Sequence, residues 1–284
     1  MIMEVVSNAG QMQAIAMGMR LQGLNIGLAP TMGYLHQGHL SLVRRARSEC
    51  DRVVMSIFVN PLQFGPREDF AAYPRDPERD LALARDEGAD YVFAPGKEDM
   101  YPEGFNTQVV VEGTLTGKMC SLSRPGHFRG VTTVVMKLFQ IVQPDRAYFG
   151  QKDAQQALVI RRMAADLNLP LEIVTCPIVR ETDGLALSSR NVYLSFEERQ
   201  AALALPRSLE AGRDLILKGE RRVERVRDEI MERLAAERAI KVDYVEVCDG
   251  QTLADLTELR GPVLLAAAVY VGQTRLIDNI YLEV

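Results

Sequence analysis

The chain has 284 residues, of which 47% are hydrophobic and 25% are charged, and its formal net charge is −5. These fractions are typical of a soluble globular protein and exclude a disordered or fibrous chain. A general nucleic-acid binder needs a basic balance or a concentrated basic face, so we expect no nucleic-acid partner. A chain of this length can bury a full core, and we expect two unequal domains.

Neither the cysteines nor the apolar runs indicate a secreted or membrane protein. The four cysteines are Cys50, Cys120, Cys176 and Cys248. They form no CxxC pair, which argues against a zinc ribbon and a disulfide scaffold. Residues 1–4 show no basic leader before an apolar stretch, and the longest apolar run, at 263–271, is too short to span a bilayer. We therefore expect reduced thiols, no membrane partner and a cytoplasmic location.

The first motif lies where a short buried strand, at residues 24–30, gives way to a helical pattern. Two of the three histidines, His36 and His39, lie at this junction beside Gly33 and Gly38. Unpaired N–H groups and the positive dipole end at a helix N-terminus favour an anion, and glycines let a nucleotide approach. Imidazoles add donors for charge that develops on a reacting phosphate. The junction therefore predicts a phosphate site.

Two other interpretations of this histidine pair remain open. Two histidines three residues apart can be half of a metal site, but the chain has no HExxH pattern and its third histidine, His127, is far away in sequence. The pair can also consist of ordinary surface or capping histidines. The motifs that follow weigh against that second interpretation.

Short apolar runs and helical patterns alternate up to about residue 178. Further strands are predicted at 53–59, 90–94, 146–149 and 171–174, and helices from Pro77 to near Gly88, at 131–142 and at 154–167. This alternation predicts an α/β fold with a Rossmann-like, doubly wound parallel sheet. Ligands of such sheets bind beyond the carboxyl ends of the strands. Polar turns at 30–32, 60–61, 95–96 and 150–152 fall at those ends.

After about residue 178 the sequence predicts two charged helices followed by a small sheet. Residues 195–198 carry a capping-box signature for the first helix, and an apolar stripe at 223–234 predicts the second. Strand-like runs follow at 242–247, 263–271 and 275–282. We therefore expect a Rossmann-like domain over residues 1–178 and a smaller α+β C-terminal domain over residues 179–284.

Two polar turns of the first part carry candidate binding groups. Asn60 and Gln63 follow a buried strand and can bond hydroxyl and carboxylate oxygens without adding charge, although a simple Asn-Pro turn explains them equally well. Residues 124–130 place two arginines and His127 ahead of a helix. That segment indicates either an anion-contacting turn or a cap of the following helix.

Two later segments add cationic and hydroxyl donors. Lys152 lies at another strand-to-helix turn, where an ammonium group can approach phosphate oxygens, and Gln156 follows one helical turn further on. Ser188, Ser189 and Arg190 form a donor cluster on a loop between the two expected domains. Such a cluster suits a polyphosphate, although the tripeptide alone is a weak signal.

With these segments in this order, the chain resembles the pantothenate synthetase (pantoate–β-alanine ligase) family of the HIGH-motif nucleotidyltransferase superfamily. The resemblance covers nearly the whole chain. Its marks are the segments at 30–39, 56–64, 73–75, 124–128, 150–156 and 183–191. The HxGH element alone is shared with many adenylyltransferases, so the substrate assignment depends on the other segments.

The resemblance implies a ligase reaction in two steps. ATP adenylates the carboxylate of (R)-pantoate with loss of pyrophosphate, and the amine of β-alanine then attacks the pantoyl adenylate. Pantothenate and AMP leave. The smaller domain is expected to close over the active site, because the adenylate must be kept from water. The resemblance also implies Mg2+ together with ATP, and a homodimer.

By the family pattern, His39 is the proton donor and His36 its companion on the phosphates. The implied catalytic residues are His36, His39, Lys152, Ser188, Ser189 and Arg190. The implied ATP-binding residues are Met32, Gly33, Tyr34, Leu35, His36, Gln37, Gly38, His39, Gly150, Gln151, Lys152, Asp153, Val179, Leu187, Ser188, Ser189 and Arg190. A carboxylate that attacks the α-phosphate meets like-charge repulsion, so catalysis should come from alignment and from cationic and hydrogen-bond donors.

The remaining implied residues concern pantoate and the metal. Gln63 and Gln156 match the residues that hold pantoate, with Gln63 also near β-alanine, and Asn60 and Tyr73 lie close by. Asp80 matches a family acid near magnesium. Two departures stand out: Leu187 replaces a methionine found in family members, which should matter little, and residues 65–69 resemble a variable insertion.

Two other functions remain in competition. Another HIGH-motif adenylyl- or cytidylyltransferase would act on a phosphorylated or nucleotide acceptor, which calls for a second basic site. Gln63 and Gln156 are instead neutral amides that suit a small hydroxy acid. A nucleotide-binding regulatory or structural module without turnover is the other alternative, and the complete set of polar motif residues argues against it.

Overall fold

The computed structural model describes residues 3–66 and 68–284. Arg67, within the segment that resembles a variable insertion, and the first two residues of the N-terminal stretch lie outside the described residues. The chain forms two compact units. The first comprises Met1–Glu112, Arg124–Gly150 and Val159–Pro177, and the second comprises Gly113–Ser123, Gln151–Leu158 and Ile178–Val284. The expected closure of a smaller domain stays a prediction.

The first unit contains a parallel sheet of six strands. They are β1 (Glu4–Val6), β2 (Ile26–Thr31), β3 (Arg52–Ile57), β4 (Tyr91–Phe93), β5 (Arg146–Gly150) and β6 (Glu172–Cys176). Their order in the sheet is β1-β4-β3-β2-β5-β6, and every pairing is parallel. The predicted Rossmann-like sheet is thereby confirmed. The strand order reverses between β2 and β5, and such a switch point is where doubly wound sheets bind ligands.

The central strands are continuous apolar runs because helices cover both faces of the sheet. Val53, Val54 and Met55 of β3 are completely buried, as are Ile26 and Leu28 of β2. The helices of the described residues are α1 (Ala9–Leu21), α2 (Gln37–Glu49), α3 (Pro77–Asp86), α4 (Lys97–Met100), α5 (Cys120–Ser123), α6 (His127–Val142), α7 (Ala154–Asp166), α8 (Phe196–Ala202), α9 (Ala204–Leu217) and α10 (Val223–Ala235). None of them is long and apolar enough to cross a bilayer.

The second unit contains an antiparallel sheet of β7 (Ile240–Asp249), β8 (Pro262–Val271) and β9 (Thr274–Glu283), in that order. Its core joins the predicted apolar stripe of α10 with α9 and with one face of β8. The predicted three-stranded sheet and the Ser195 capping box are confirmed.

One prediction for this unit is wrong in detail, because the first of the two predicted helices is divided into α8 and α9 at Leu203. Pro206 explains the division, since it has no N–H to bond the carbonyl of Ala202 and its ring crowds that carbonyl.

Candidate active site

The two histidines of the first unit cap helix α2 reciprocally. His36 is the N-cap residue, and its Nδ1 accepts the backbone N–H of Gly38 at 3.2 Å. Nδ1 of His39 accepts the backbone N–H of His36 at 3.4 Å, and the two rings stack with centroids 4.0 Å apart. Because each Nδ1 is an acceptor, the neutral imidazoles carry their protons on Nε2. The capping interpretation is therefore right for the Nδ1 atoms, and the Nε2–H groups are donors suited to a phosphate.

A buried carboxylate holds the turn that leads into these histidines. Oδ2 and Oδ1 of Asp80 accept the backbone N–H groups of Tyr34 and Leu35, both at 2.7 Å. The turn needs this support because Gly33 and Tyr34 have left-handed φ angles of 82° and 49°. Burial raises the pKa of the Asp80 carboxyl above its ordinary value, although the two amide bonds act in the opposite direction.

Asp80 fits direct coordination of magnesium poorly. Only 2% of the residue is exposed, and both of its carboxylate oxygens are engaged by amides of the turn. Within residues 3–66 and 68–284, no three His, Cys, Asp or Glu side chains form a group that could hold a metal ion. The magnesium role that the resemblance implies for Asp80 stays a prediction, and the geometry favours a supporting role for this side chain.

The residues expected to hold pantoate in the first unit lie together after β3. Asn60 caps a short 3₁₀ helix, Pro61–Gln63, and its Nδ2 donates to Oε1 of Gln63 at 3.2 Å. Gln63 in turn places its Nε2 2.8 Å from Sδ of Met32, so this amide pair adjoins the start of the predicted ATP segment. Tyr73 is buried nearby in the chain, with its ring edge-on to Phe64 at 5.9 Å.

Tyr101 is a member of this cluster that sequence patterns miss. Its hydroxyl donates to Oδ1 of Asn60 at 2.7 Å. Burial raises the pKa of Tyr101, so its hydroxyl remains a donor at neutral pH. The bond orients the Asn60 amide, which leaves the Nδ2 group facing Gln63.

The segment at 124–130 supports this turn instead of forming an open anion site. Arg124 donates to both oxygens of Glu68, at 2.7 and 2.8 Å. Burial acts to raise the pKa of Glu68, but the hydrogen bond and the charge of Arg124 hold it below its ordinary value. Nδ1 of His127 lies 2.8 Å from the carbonyl oxygen of Gln63. The anion that Arg124 contacts is thus part of the chain. The N-cap residue of α6 is Gly126, and among the described residues no side chain caps this helix, so the segment supports the Gln63 turn and does not cap the helix.

Gly150 ends β5 in the first unit, and the 3₁₀ turn Gln151–Asp153, which belongs to the second unit, follows it directly along the chain. Nζ of Lys152 lies 3.8 Å from Oδ2 of Asp153. Gln156, on the first turn of α7, is partly buried, whereas its neighbour Gln155 is 4% exposed and bonds the carbonyls of Leu115 and Lys118. Lys152 lies in the 3₁₀ turn, and Gln156 lies in the first turn of α7 that follows it, about one helical turn further on as the sequence predicts.

The serine and arginine cluster is built by a short return of the chain. The N–H of Leu187 donates to the carbonyl of Val179 at 3.0 Å, which brings these two predicted ATP-binding residues side by side. Ser188 caps the 3₁₀ helix Ser189–Tyr193, and its Oγ accepts the N–H of Arg190 at 3.3 Å. Asn191 anchors the helix by donating to Oε1 of Glu181 at 2.7 Å.

Comparisons with known proteins point to one family. A family model described as pantoate-beta-alanine ligase matches residues 4–281. The pantothenate synthetase of Moorella thermoacetica is 60% identical, and that of Acetivibrio thermocellus 57% identical, over 282 residues each; these cover 99% of this chain and 99% and 100% of the two relatives.

Two solved structures extend the agreement to the fold. The pantothenate synthetase of Thermus thermophilus matches with a TM-score of 0.92 and 50% identity, covering 98% of this chain and 99% of that one. The ligase of Francisella tularensis, solved in complex with beta-gamma ATP and beta-alanine, matches with a TM-score of 0.79 and 33% identity, over 98% and 97% of the two chains. This chain therefore belongs to the pantoate–β-alanine ligase family.

Proposed function

We propose that this chain condenses (R)-pantoate with β-alanine to pantothenate, driven by conversion of ATP to AMP and pyrophosphate. The observation that carries the proposal is the contact between Gln63 and Met32. It joins the turn that we propose to bind phosphate to the neutral amide pair of Asn60 and Gln63 within one unit. Neutral amides hold the hydroxyl and carboxylate groups of a small acid without adding a charge that would quench its nucleophilic oxygen.

In the first step, a pantoate carboxylate oxygen bonds to the α-phosphorus of ATP, and the bond from that phosphorus to the bridging oxygen breaks. Pyrophosphate leaves with the electron pair. In this proposal, the Nε2–H groups of His36 and His39 donate to phosphoryl oxygens as negative charge shifts onto them. Lys152 and the cluster of Ser188, Ser189 and Arg190 supply further donors in this proposal.

In the second step, the β-alanine nitrogen bonds to the acyl carbon of pantoyl adenylate and loses a proton. The bond from that carbon to the AMP oxygen breaks, and AMP leaves. Gln63, Asn60, Tyr73 and Gln156 are proposed to hold the pantoyl group in both steps. Alignment supplies much of the rate, because the chain offers the intermediate a fixed position beside the amine.

Pyrophosphate exchange tests the proposed reaction directly. With labelled pyrophosphate, ATP and magnesium salt but no β-alanine, the enzyme is expected to incorporate label into ATP only when pantoate is present. Adding β-alanine is then expected to yield pantothenate. Label incorporation that does not depend on pantoate would identify a different acceptor, and no incorporation by folded protein that binds ATP would contradict the proposed reaction.

Replacing Gln63 by alanine is expected to raise the KM for pantoate by about tenfold to a hundredfold, the usual cost of losing a hydrogen bond to a charged group. The KM for ATP is expected to change little, since His36 and His39 remain in place. Steady-state kinetics with each substrate varied in turn measure the difference. Gln11→Ala, on the exposed side of α1, is the matched control and is expected to behave as the wild type. A selective defect in ATP use would show that the pocket is misassigned.

Asp80→Asn distinguishes support of the turn from coordination of magnesium. The amide retains one acceptor but turns an NH₂ group towards the second backbone N–H, so the turn before His36 is expected to loosen. We expect exchange to slow by about tenfold or more, because small displacements of catalytic groups are costly. The magnesium concentration that gives half-maximal rate is expected to stay unchanged.

The matched control for that variant is Asp86→Asn, at the exposed end of the same helix α3. It is expected to leave both the rate and the magnesium dependence unaltered. A rise in the magnesium requirement confined to Asp80→Asn would instead support the metal role that the family resemblance implies.

Two further features are proposed from the resemblance. Mg2+ is the expected companion of the ATP phosphates, because it binds through substrate phosphates and water with few protein ligands. A homodimer is expected from the family, and light scattering of the purified chain measures it. The four cysteines are free and buried, which supports the expected cytoplasmic location because thiols persist in reducing compartments.

A further inference from the structure

Two adjacent buried polar residues interrupt the apolar pattern of the last strand in the second unit. Asp278 and Asn279 on β9 are 2% and 3% exposed. Burying a carboxylate and an amide costs free energy unless each is fully hydrogen-bonded. Successive side chains of a strand point to opposite faces, so the two residues can support two different segments. Both supported segments contain residues that the proposed function assigns to ATP.

Both polar atoms of the Asn279 side chain form hydrogen bonds with the turn that contains Lys152. Its Nδ2 donates to the carbonyl oxygens of Gln151 at 2.9 Å and Lys152 at 3.0 Å. Its Oδ1 accepts Nε2 of Gln151 at 2.9 Å. The two carbonyls belong to the peptide planes on either side of the Lys152 α-carbon. Since peptide groups are planar, fixing both planes fixes the direction in which the lysine side chain leaves the backbone.

Asp278 supports the return of the chain that carries the serine and arginine cluster. Its oxygens accept both Nη atoms of Arg180, at 2.6 and 3.0 Å, and its Oδ1 also accepts the N–H of Asn279 at 2.8 Å. Arg180 in turn donates to the carbonyl of Gly184 at 3.1 Å, which connects Asp278 to the chain return. The bidentate geometry defines the position of the guanidinium group more closely than a single contact would.

We propose that Asn279 and Asp278 are positioning residues for the adenylation step, with Asn279 acting through Lys152 and Asp278 acting through Arg180 on residues 184–190. The inference rests on the proposed function, because it assigns Lys152 to the phosphates of ATP. Neither residue touches a substrate in this proposal. Their contribution is to hold the Lys152 ammonium group and residues 184–190 in one geometry before ATP reacts.

The first test separates the two half-reactions. Asn279→Ala is expected to slow pantoate-dependent pyrophosphate exchange by about tenfold to a hundredfold, with a change in kcat and little change in the KM for ATP. Conversion of supplied pantoyl adenylate and β-alanine to pantothenate is expected to slow by less than about threefold, because a donor for phosphate charge matters mainly while the phosphoryl bond changes. Equal losses in both half-reactions would overturn the proposal and indicate general damage to the unit.

The second test asks whether Asn279 acts through Lys152. In a double-mutant cycle, Asn279→Ala is expected to change exchange less than about twofold once Lys152 is already alanine. Full multiplication of the two losses would overturn the proposal. If Asn279→Ala does not fold, as judged by its melting temperature, Asn279→Ser takes its place in the cycle. Glu283→Gln, exposed on the same strand, is the control and is expected to match the wild type. A wild-type enzyme without exchange would instead refute the proposed function itself.

Discussion

His39→Ala is expected to slow adenylate formation by about 10²- to 10³-fold, the usual cost of removing one donor that acts on developing charge. Affinity for ATP is expected to fall by less than about threefold, because such a donor contributes mainly in the transition state. The geometry supports this division: Nδ1 of His39 is engaged by the N–H of His36, which assigns the proton of the neutral ring to Nε2. Single-turnover formation of pantoyl adenylate and calorimetric titration with ATP measure the two quantities.

His39→Gln separates the chemical role of this residue from its capping role. Glutamine at the third helical position can accept the N-cap N–H, so this variant is expected to keep the stability of α2. It cannot replace the imidazole, and its rate is expected to remain as low as that of His39→Ala. Recovery of the rate in His39→Gln would mean that the cap alone matters. Equal losses of rate and ATP affinity in both variants would contradict the proposed role.

The sheet of the first unit could be predicted because its central strands are covered on both faces. Continuous apolar runs such as Val53–Met55 are the direct consequence, and the boundaries of β3 and β5 differ from the predicted ones by only a few residues. The histidine turn was equally local, since strand, glycine, histidine and helix follow one another within residues 26–49. Patterns of this kind depend on residues that are neighbours in sequence, so they can be recognised in a single sequence.

Elements with weak local patterns were not predicted. The strand β1 has only three residues, Glu4–Val6, and pairs with β4 alone. Helix α1 contains two glycines and no acidic residue in its first turn, so its start lacks the usual charge signal. The N-cap Asn8, which accepts the N–H of Gln11 at 3.0 Å, was the signal that could have located this helix.

Most of the site contacts that the sequence did not predict join residues that are distant in sequence. Asn279 and Gln151 are 128 positions apart, and Arg180 and Asp278 are 98 positions apart. The only local signal for Asp278 and Asn279 is that two polar residues lie within an apolar strand. Such a pattern is a reason to search for buried hydrogen-bond partners of the two side chains. Arg124 shows the converse limit: its type indicates an anion, but only the fold reveals that the anion is Glu68.

Gly130→Ala is expected to be among the most damaging single-methyl additions in the first unit. Gly130 lies in the first turn of α6, and a Cβ atom there would fall on the carbonyl group of Leu62 and 2.5 Å from the backbone nitrogen of Gln63. Backbone atoms cannot rotate aside as a side chain can, so α6 and the Pro61–Gln63 turn must separate. Separation breaks the bond from Nδ2 of Asn60 to the carbonyl of Gly130, which is 3.1 Å long.

The net change in stability of Gly130→Ala follows from two opposing free-energy contributions. Alanine in place of glycine favours a helix by at most about 1 kcal/mol, whereas overpacking of a closed contact costs about 1–3 kcal/mol or more. We therefore expect a net loss of stability in urea unfolding, together with a KM for pantoate raised by about tenfold or more as the Asn60 and Gln63 amides shift. Gly18→Ala in α1, where nothing lies within 4 Å of the added atom, is the matched control and is expected to gain about 0.5–1 kcal/mol. Wild-type stability and pantoate KM in Gly130→Ala would show that α6 does not hold the pantoate residues in place.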